Sequence, residues 1–141
     1  MRKSSAAIGT ISGVFLGLFL KLAQALTGIH FYTLLLNIDF IPIAGKMDYP
    51  EFIEFLIHLL TSILIVWVYL KLLYRFTSSS LNKWLLAFLL IIPAILLYFP
   101  LSALAEKPVP TWHDWPAILI WSVGHLLYAA LMAALVKNDA A

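Results

Sequence analysis

The sequence predicts an all-α integral membrane protein, a bundle of four transmembrane helices, and three observations carry that prediction. Apolar residues make up 63% of the 141-residue chain and charged residues 11%, against roughly 45–50% and 25% in globular domains. Four apolar stretches, about 6–26, 55–73, 84–101 and 115–136, each approach the span of about 20 helical residues that a hydrocarbon core requires. Lysine and arginine are shared unevenly between the connections, as in chains oriented by their positive charges. What remains is too short for a soluble domain, so residues 1–141 read as a single transmembrane domain.

The first stretch follows Arg2 and Lys3. It outruns the apolar region of a secretory signal, about 7–15 residues, and lacks a small-residue cleavage site, so it reads as a retained helix. Within it Gly9, Gly13 and Gly17 recur every four residues on one face. In lipid, where apolar side chains gain little by meeting, such residues let two backbones approach closely. The face is expected to pack against another span, and its spacing continues to Lys21, with Gln24 nearby.

The connection 27–49 is itself apolar, in "IHFYTLLLNIDFIPIAG". It is too short for another hairpin of spans and too apolar to float in water, so it reads as interfacial or re-entrant, resting on headgroups or lidding the bundle. The next connection, "LLYRFTSSSLNKW", is short and basic. The third span carries no charge, and Pro93 is expected to kink it by removing a hydrogen bond to Leu89. In the connection "SALAEKPVPTWHDWP" prolines stiffen the chain, and Trp112, Trp115 and Trp121 suit the aromatic belt at a membrane interface.

With four crossings, Arg2, Lys3, Lys71, Arg75, Lys83 and Lys137 fall on one side, Lys46 and Lys107 on the other, and Lys21 within the membrane. Both termini are therefore expected to be cytoplasmic. Six of the seven acids and all four histidines then lie on the outer side or in the outer halves of spans. The chain has no cysteine, which excludes disulfides, thiolate metal sites and thiol catalysis.

Spans two and four open on similar phrases, Asp48-Tyr49-Pro50 and Asp114-Trp115-Pro116. Aspartate caps a helix, proline is tolerated in its first turn, and negative charge suits the positive end of the helix dipole. His58 and His125 follow ten and eleven residues after those aspartates, about 15 Å deeper along a helix. The match suggests two parallel two-span repeats about an axis along the membrane normal.

Glu51, Glu54 and His58 share one helical face, and so do Ser122 and His125, with Gly124 beside them to permit close approach. Ionisable groups within spans cost roughly 2.5–3.5 kcal/mol at the bilayer centre and turn inward. The expected arrangement is an outward-opening pocket of Lys21, Gln24, Glu51, Glu54, His58, Ser122 and His125. Three roles fit it. As structural glue, Lys21 would pair with Glu54 while the histidines meet neighbouring carbonyls. As a proton-responsive site, the histidines would change charge between about pH 5 and 8. As a metal site, Glu54, His58 and His125 would hold a divalent ion, against the opposing charge of Lys21. Ser122 and His125 do not mark a nucleophile and base, so no catalytic residue is assigned and no cofactor is predicted beyond that divalent metal alternative.

The opening "AAIGTISGVFLGLFLKLAQ" and the ending "DWPAILIWSVGHLLYAALMAALVKND" resemble the YagU-like and YqhR-like small bacterial inner-membrane proteins. The resemblance rests on Gly13, Gly17 and Lys21 in the first span and on Gly124, His125 and Leu126 in the last. It implies a bacterial plasma-membrane location and a link to acid resistance, with no agreed biochemical activity. The leading expectation is thus a pH-responsive membrane factor that moves protons or a small solute. The alternatives are an accessory or structural subunit docking another membrane protein through the glycine face, and a divalent-metal-dependent membrane enzyme or transporter; among partners, a homo-oligomer is a further alternative. The expected partner is the lipid bilayer, and no nucleic acid.

Overall fold

The computed structural model describes residues 4–76 and 80–137. Helix α1 spans Ser5–Thr27, begins at a Ser4 hydroxyl that accepts from the Ala7 N–H, and ends at Gly28. Gly28 adopts φ 75° and returns its N–H to the Gln24 carbonyl, a left-handed cap that glycine forms at no steric cost. The connection that follows holds α2, Phe31–Leu35, and a 3₁₀ turn, Ala44–Lys46. Then come α3, Glu51–Phe76, α4, Ser80–Leu96, α5, Tyr98–Leu104, and α6, Trp115–Leu135, with no strand among the described residues. Four helical segments, α1, α3, α4 with α5, and α6, are long and apolar enough to cross a membrane. The chain is an all-α membrane protein folded as a four-helix bundle. Arg2, Lys3 and residues 77–79 lie outside the described residues.

Helix α1 packs on α3 and α6, and α4 packs on α6, whereas α3 and α4 meet less extensively. The three-glycine face is the reason α1 and α3 come so close. A methyl on Gly9 would stand 2.5 Å from the Ile63 Cα, one on Gly13 2.9 Å from the Ser62 Cβ, and one on Gly17 2.6 Å from the Phe55 ring. The face is therefore filled within the chain, and it is not free to dock another subunit. Gly124 of α6 performs the same service less tightly, its nearest neighbours being the Phe19 ring at 3.0 Å and Leu16. Leu18, Leu22, Leu64, Leu89 and Leu119 are exposed on the bundle's outside, the composition of a surface solvated by lipid.

Three local features depart from the sequence expectation. The third span continues past Pro93 and breaks one turn later at Leu97, because Pro100 lacks the N–H that would bond the Leu96 carbonyl. Asp48 does not cap α3: the helix starts at Glu51, and the Pro50 carbonyl accepts from Ile53 and Glu54. Asp114 does cap α6, accepting from the Ala117 N–H at 3.1 Å. Lys83, expected to flank a solvent-facing turn, is buried; its ammonium donates to the Val136 carbonyl at 2.9 Å, where the negative end of the α6 dipole favours a cation.

Candidate functional site

The end of the bundle that carries the connections 28–50 and 105–114 is closed by the first of them. Phe31, Leu34, Leu36, Asn37 and Ile38 are buried there, so the apolar connection behaves as a packed lid. Its polar atoms are paired across the fold. The Asn37 amide donates to the Leu101 carbonyl at 3.1 Å, and its oxygen accepts from the Asp39 N–H. The Asp39 carboxylate accepts from the backbone N–H groups of Glu106, at 2.7 Å, and Lys107. Backbone approach is equally close on the other side, since a methyl on Gly45 would lie 2.5 Å from the Ile38 carbonyl oxygen.

The same segment stores strain. Ile43, a β-branched residue, sits at φ 70°, ψ −60°, with the Ala44 N–H bonded back to the Pro42 carbonyl at 2.8 Å. This is the strained γ-turn, which costs of order 1–3 kcal/mol and persists only where its surroundings impose it.

Under the lid lies a cavity of about 200 Å³, walled by all four spans and by residues 35–38, 40 and 41. Its lining is mostly aliphatic, with Glu54, His58, Ser62, His125 and Tyr128 converging on one side. Glu54 is only 7% exposed, and its carboxylate is paired with the Lys107 ammonium, which reaches in from the second connection. One side chain on the cavity wall is thus tied directly to the segment that anchors the lid.

The remaining polar groups are held by backbone. His58 Nε2 lies 2.9 Å from the Gly13 carbonyl, and His125 Nδ1 lies 2.8 Å from the Trp121 carbonyl. A carbonyl can only accept, so these nitrogens carry the hydrogens, and His58 Nδ1 and His125 Nε2 are left without a protein partner among the described residues. Ser62 donates to the Gly9 carbonyl at 2.7 Å, so its contact with Tyr128 at 2.8 Å has the Tyr128 hydroxyl as donor. The Trp121 ring lies 4.4 Å, centre to centre, from that of His125, and its buried indole N–H has no partner among the described residues. Leaving such a donor unpaired costs about 1–3 kcal/mol. Comparison with protein-family models, with curated proteins and with solved structures yields no match.

Of the residues singled out in the sequence, the cavity gathers Glu54, His58 and His125. Lys21 lies elsewhere, exposed on the outside of the bundle, 2.9 Å from Glu51. Gln24 serves the lid, its oxygen accepting from the backbone N–H groups of Tyr32 and Thr33 at the start of α2. Ser122 donates back to the Ile118 carbonyl at 2.7 Å and His125 Nδ1 to the Trp121 carbonyl, which is not the geometry of a nucleophile–base pair. Glu54, His58 and His125 share the cavity without forming a metal cage: among the described residues no group of three or more histidine or acidic side chains is placed to hold an ion. Sequence reasoning missed Asn37, Asp39, Trp121 and Tyr128 as parts of the site, and above all Lys107. The acids and amides in an otherwise apolar loop were the available signal.

Proposed function

We propose that this membrane protein is a pH-responsive factor that admits protons or a small solute to the cavity beneath its lid. The observation that carries the reading is the Glu54–Lys107 pair, which fastens the cavity wall to the connection that Asp39 in turn fastens to the lid. Removing the Glu54 charge would leave Lys107 without its counter-ion, and removing the Asp39 charge would weaken its bonds to two backbone N–H groups. Neutralising either carboxylate therefore loosens a latch, and the strain at Ile43 favours release. Within the cavity His58 Nδ1 and His125 Nε2 are then the open proton acceptors, with His58 one helical turn beyond Glu54 on α3. The reading places the lid end outside and both termini in the cytoplasm of a bacterial inner membrane, in keeping with the sequence resemblance to YagU-like and YqhR-like proteins and their link to acid resistance.

The test is flux into liposomes carrying the reconstituted protein and a trapped pH-sensitive dye. Acidifying the outside should speed proton or co-transported solute entry, and His58→Gln with His125→Gln should abolish the acceleration in a folded protein. An unchanged response contradicts the proposal. A second reading is favoured by the bonds from His58 and Ser62 to the α1 backbone: the polar cluster as interhelical glue. It predicts that the same pair of substitutions lowers thermal stability and that no acid-dependent entry occurs even in the unaltered protein.

A further inference from the structure

On a face of α3 away from the cavity, α1 and α3 form a shallow groove of about 390 Å³. Its polar end is built from Lys21, Glu51 and Tyr32, and its floor from Gly17, Leu18 and Phe52. We propose that this groove binds a membrane phospholipid whose zwitterionic headgroup carries a primary ammonium, with the phosphate on Lys21 and the ammonium on Glu51.

Three observations bear on the occupant. First, the Lys21–Glu51 pair is exposed, 57% and 58% by side chain, on a surface otherwise made of Leu18, Leu22, Phe52 and Leu56, all exposed. A surface of that kind on two membrane-spanning helices faces lipid. Charges in contact with hydrocarbon are expensive, so the pair requires polar company from the bilayer itself. Second, the depth is right for headgroups. Lys21 lies six residues before the end of α1, about 9 Å along the helix, within reach of the interface for a snorkelling lysine. Glu51 is the first residue of α3.

Third, the groove presents both signs side by side with unused bonding capacity. The ammonium has three N–H donors, of which one meets Glu51 at 2.9 Å, while the rest of the group lies over the Tyr32 ring, 5.0 Å from its centre. Burial, and then a hydrogen bond to the Glu51 carboxylate, push the Tyr32 phenol well above its ordinary value, so its O–H stays with Glu51 and the spare donors are those of Lys21. A headgroup in which phosphate and ammonium are joined by a two-carbon bridge can complement both charges. An anionic headgroup would set its charge against Glu51, and a trimethylated ammonium has no N–H to give to it. Phe55 packs on Gly17, and Leu18 and Phe52, both exposed, offer an acyl chain an apolar wall.

Native mass spectrometry of the full chain, released from nanodiscs holding equal amounts of ethanolamine, choline and glycerol phospholipids, tests the assignment. The ethanolamine lipid should be retained about tenfold over each of the others, the factor that one charge-assisted hydrogen bond is worth. Glu51→Gln should bring it down to the choline level, and Lys21→Gln should remove retention of both. Equal retention of the three lipids by the unaltered chain overturns the proposal without recourse to any variant. So does a preference that survives both substitutions, or a co-purifying protein that shields Lys21 from amine labelling in place of lipid.

Discussion

Replacing Gly9 with alanine tests the packing on which the bundle rests. The new methyl would lie 2.5 Å from the Ile63 Cα, where unstrained carbons stand about 3.5–4.0 Å apart. The obstacle is backbone, which cannot rotate away, so α1 and α3 must part by about 1 Å, taking the separation of carbon contacts as the measure. That shift stretches the 2.7 Å bond from Ser62 to the Gly9 carbonyl out of hydrogen-bond range. Overpacking of this kind costs about 1–3 kcal/mol, and an interhelical bond in a membrane protein is worth about 0.6. Against this, alanine gains about 1 kcal/mol over glycine in helix propensity. The clash wins, and Gly9→Ala should destabilise by about 1–2 kcal/mol on these magnitudes. Gly124→Ala is the control: its methyl meets the Phe19 ring at 3.0 Å, a side chain that can yield, so propensity offsets contact and stability should hardly change. Reversible unfolding of the helical circular dichroism signal in mixed detergent–SDS micelles provides the measure. A Gly9→Ala protein as stable as the unaltered one, or a Gly124→Ala loss of equal size, refutes the reasoning.

Other outcomes follow from the lid and from the opposite end. Asp39→Asn weakens the acceptor for the Glu106 and Lys107 N–H groups, and amide hydrogen exchange at those two residues should quicken by about tenfold, the effect of about 1.4 kcal/mol; unchanged exchange would show that Asp39 holds nothing. Ile43→Gly relieves a positive φ, so exchange in 36–45 should slow, in line with about 1 kcal/mol of released strain. Faster exchange would place no strain there. Lys83→Met removes the cation at the end of α6, and should lower stability by up to about 2 kcal/mol while leaving lid exchange untouched.

Much of the fold was legible in the sequence because membrane solvation makes strong demands. Apolar length located all four spans, and the four-residue glycine spacing located the α1 face that meets α3. The same spacing misled at Lys21. With 3.6 residues per turn a four-residue step drifts by about 40°, so three steps from Gly9 carry Lys21 about 120° around the helix. It leaves the packed face and meets Glu51 outside. Helical phase did place Glu54 and His58 inward, and His125 with them. The partner of Glu54 was not legible, because Lys107 comes from a proline-rich connection whose path no periodicity fixes. The paired opening phrases also promised more likeness than they deliver: Asp114 caps its helix, whereas α3 starts three residues beyond Asp48. His58 accordingly lies seven residues into its helix and His125 ten.

The central claim is that the Glu54–Lys107 latch controls access to the cavity, and the absence of native cysteine permits a direct measurement. A single cysteine at Ala94, on the α4 wall of the cavity, would be reacted with a water-soluble, membrane-impermeant thiol reagent near pH 7 and after acidification. Each rate would be divided by that of an exposed cysteine at Thr111, which removes the pH dependence of the thiolate itself. The relative rate should be low at neutral pH and rise on acidification, and Glu54→Gln should make it high at both values. A relative rate that ignores both pH and Glu54→Gln would contradict the account.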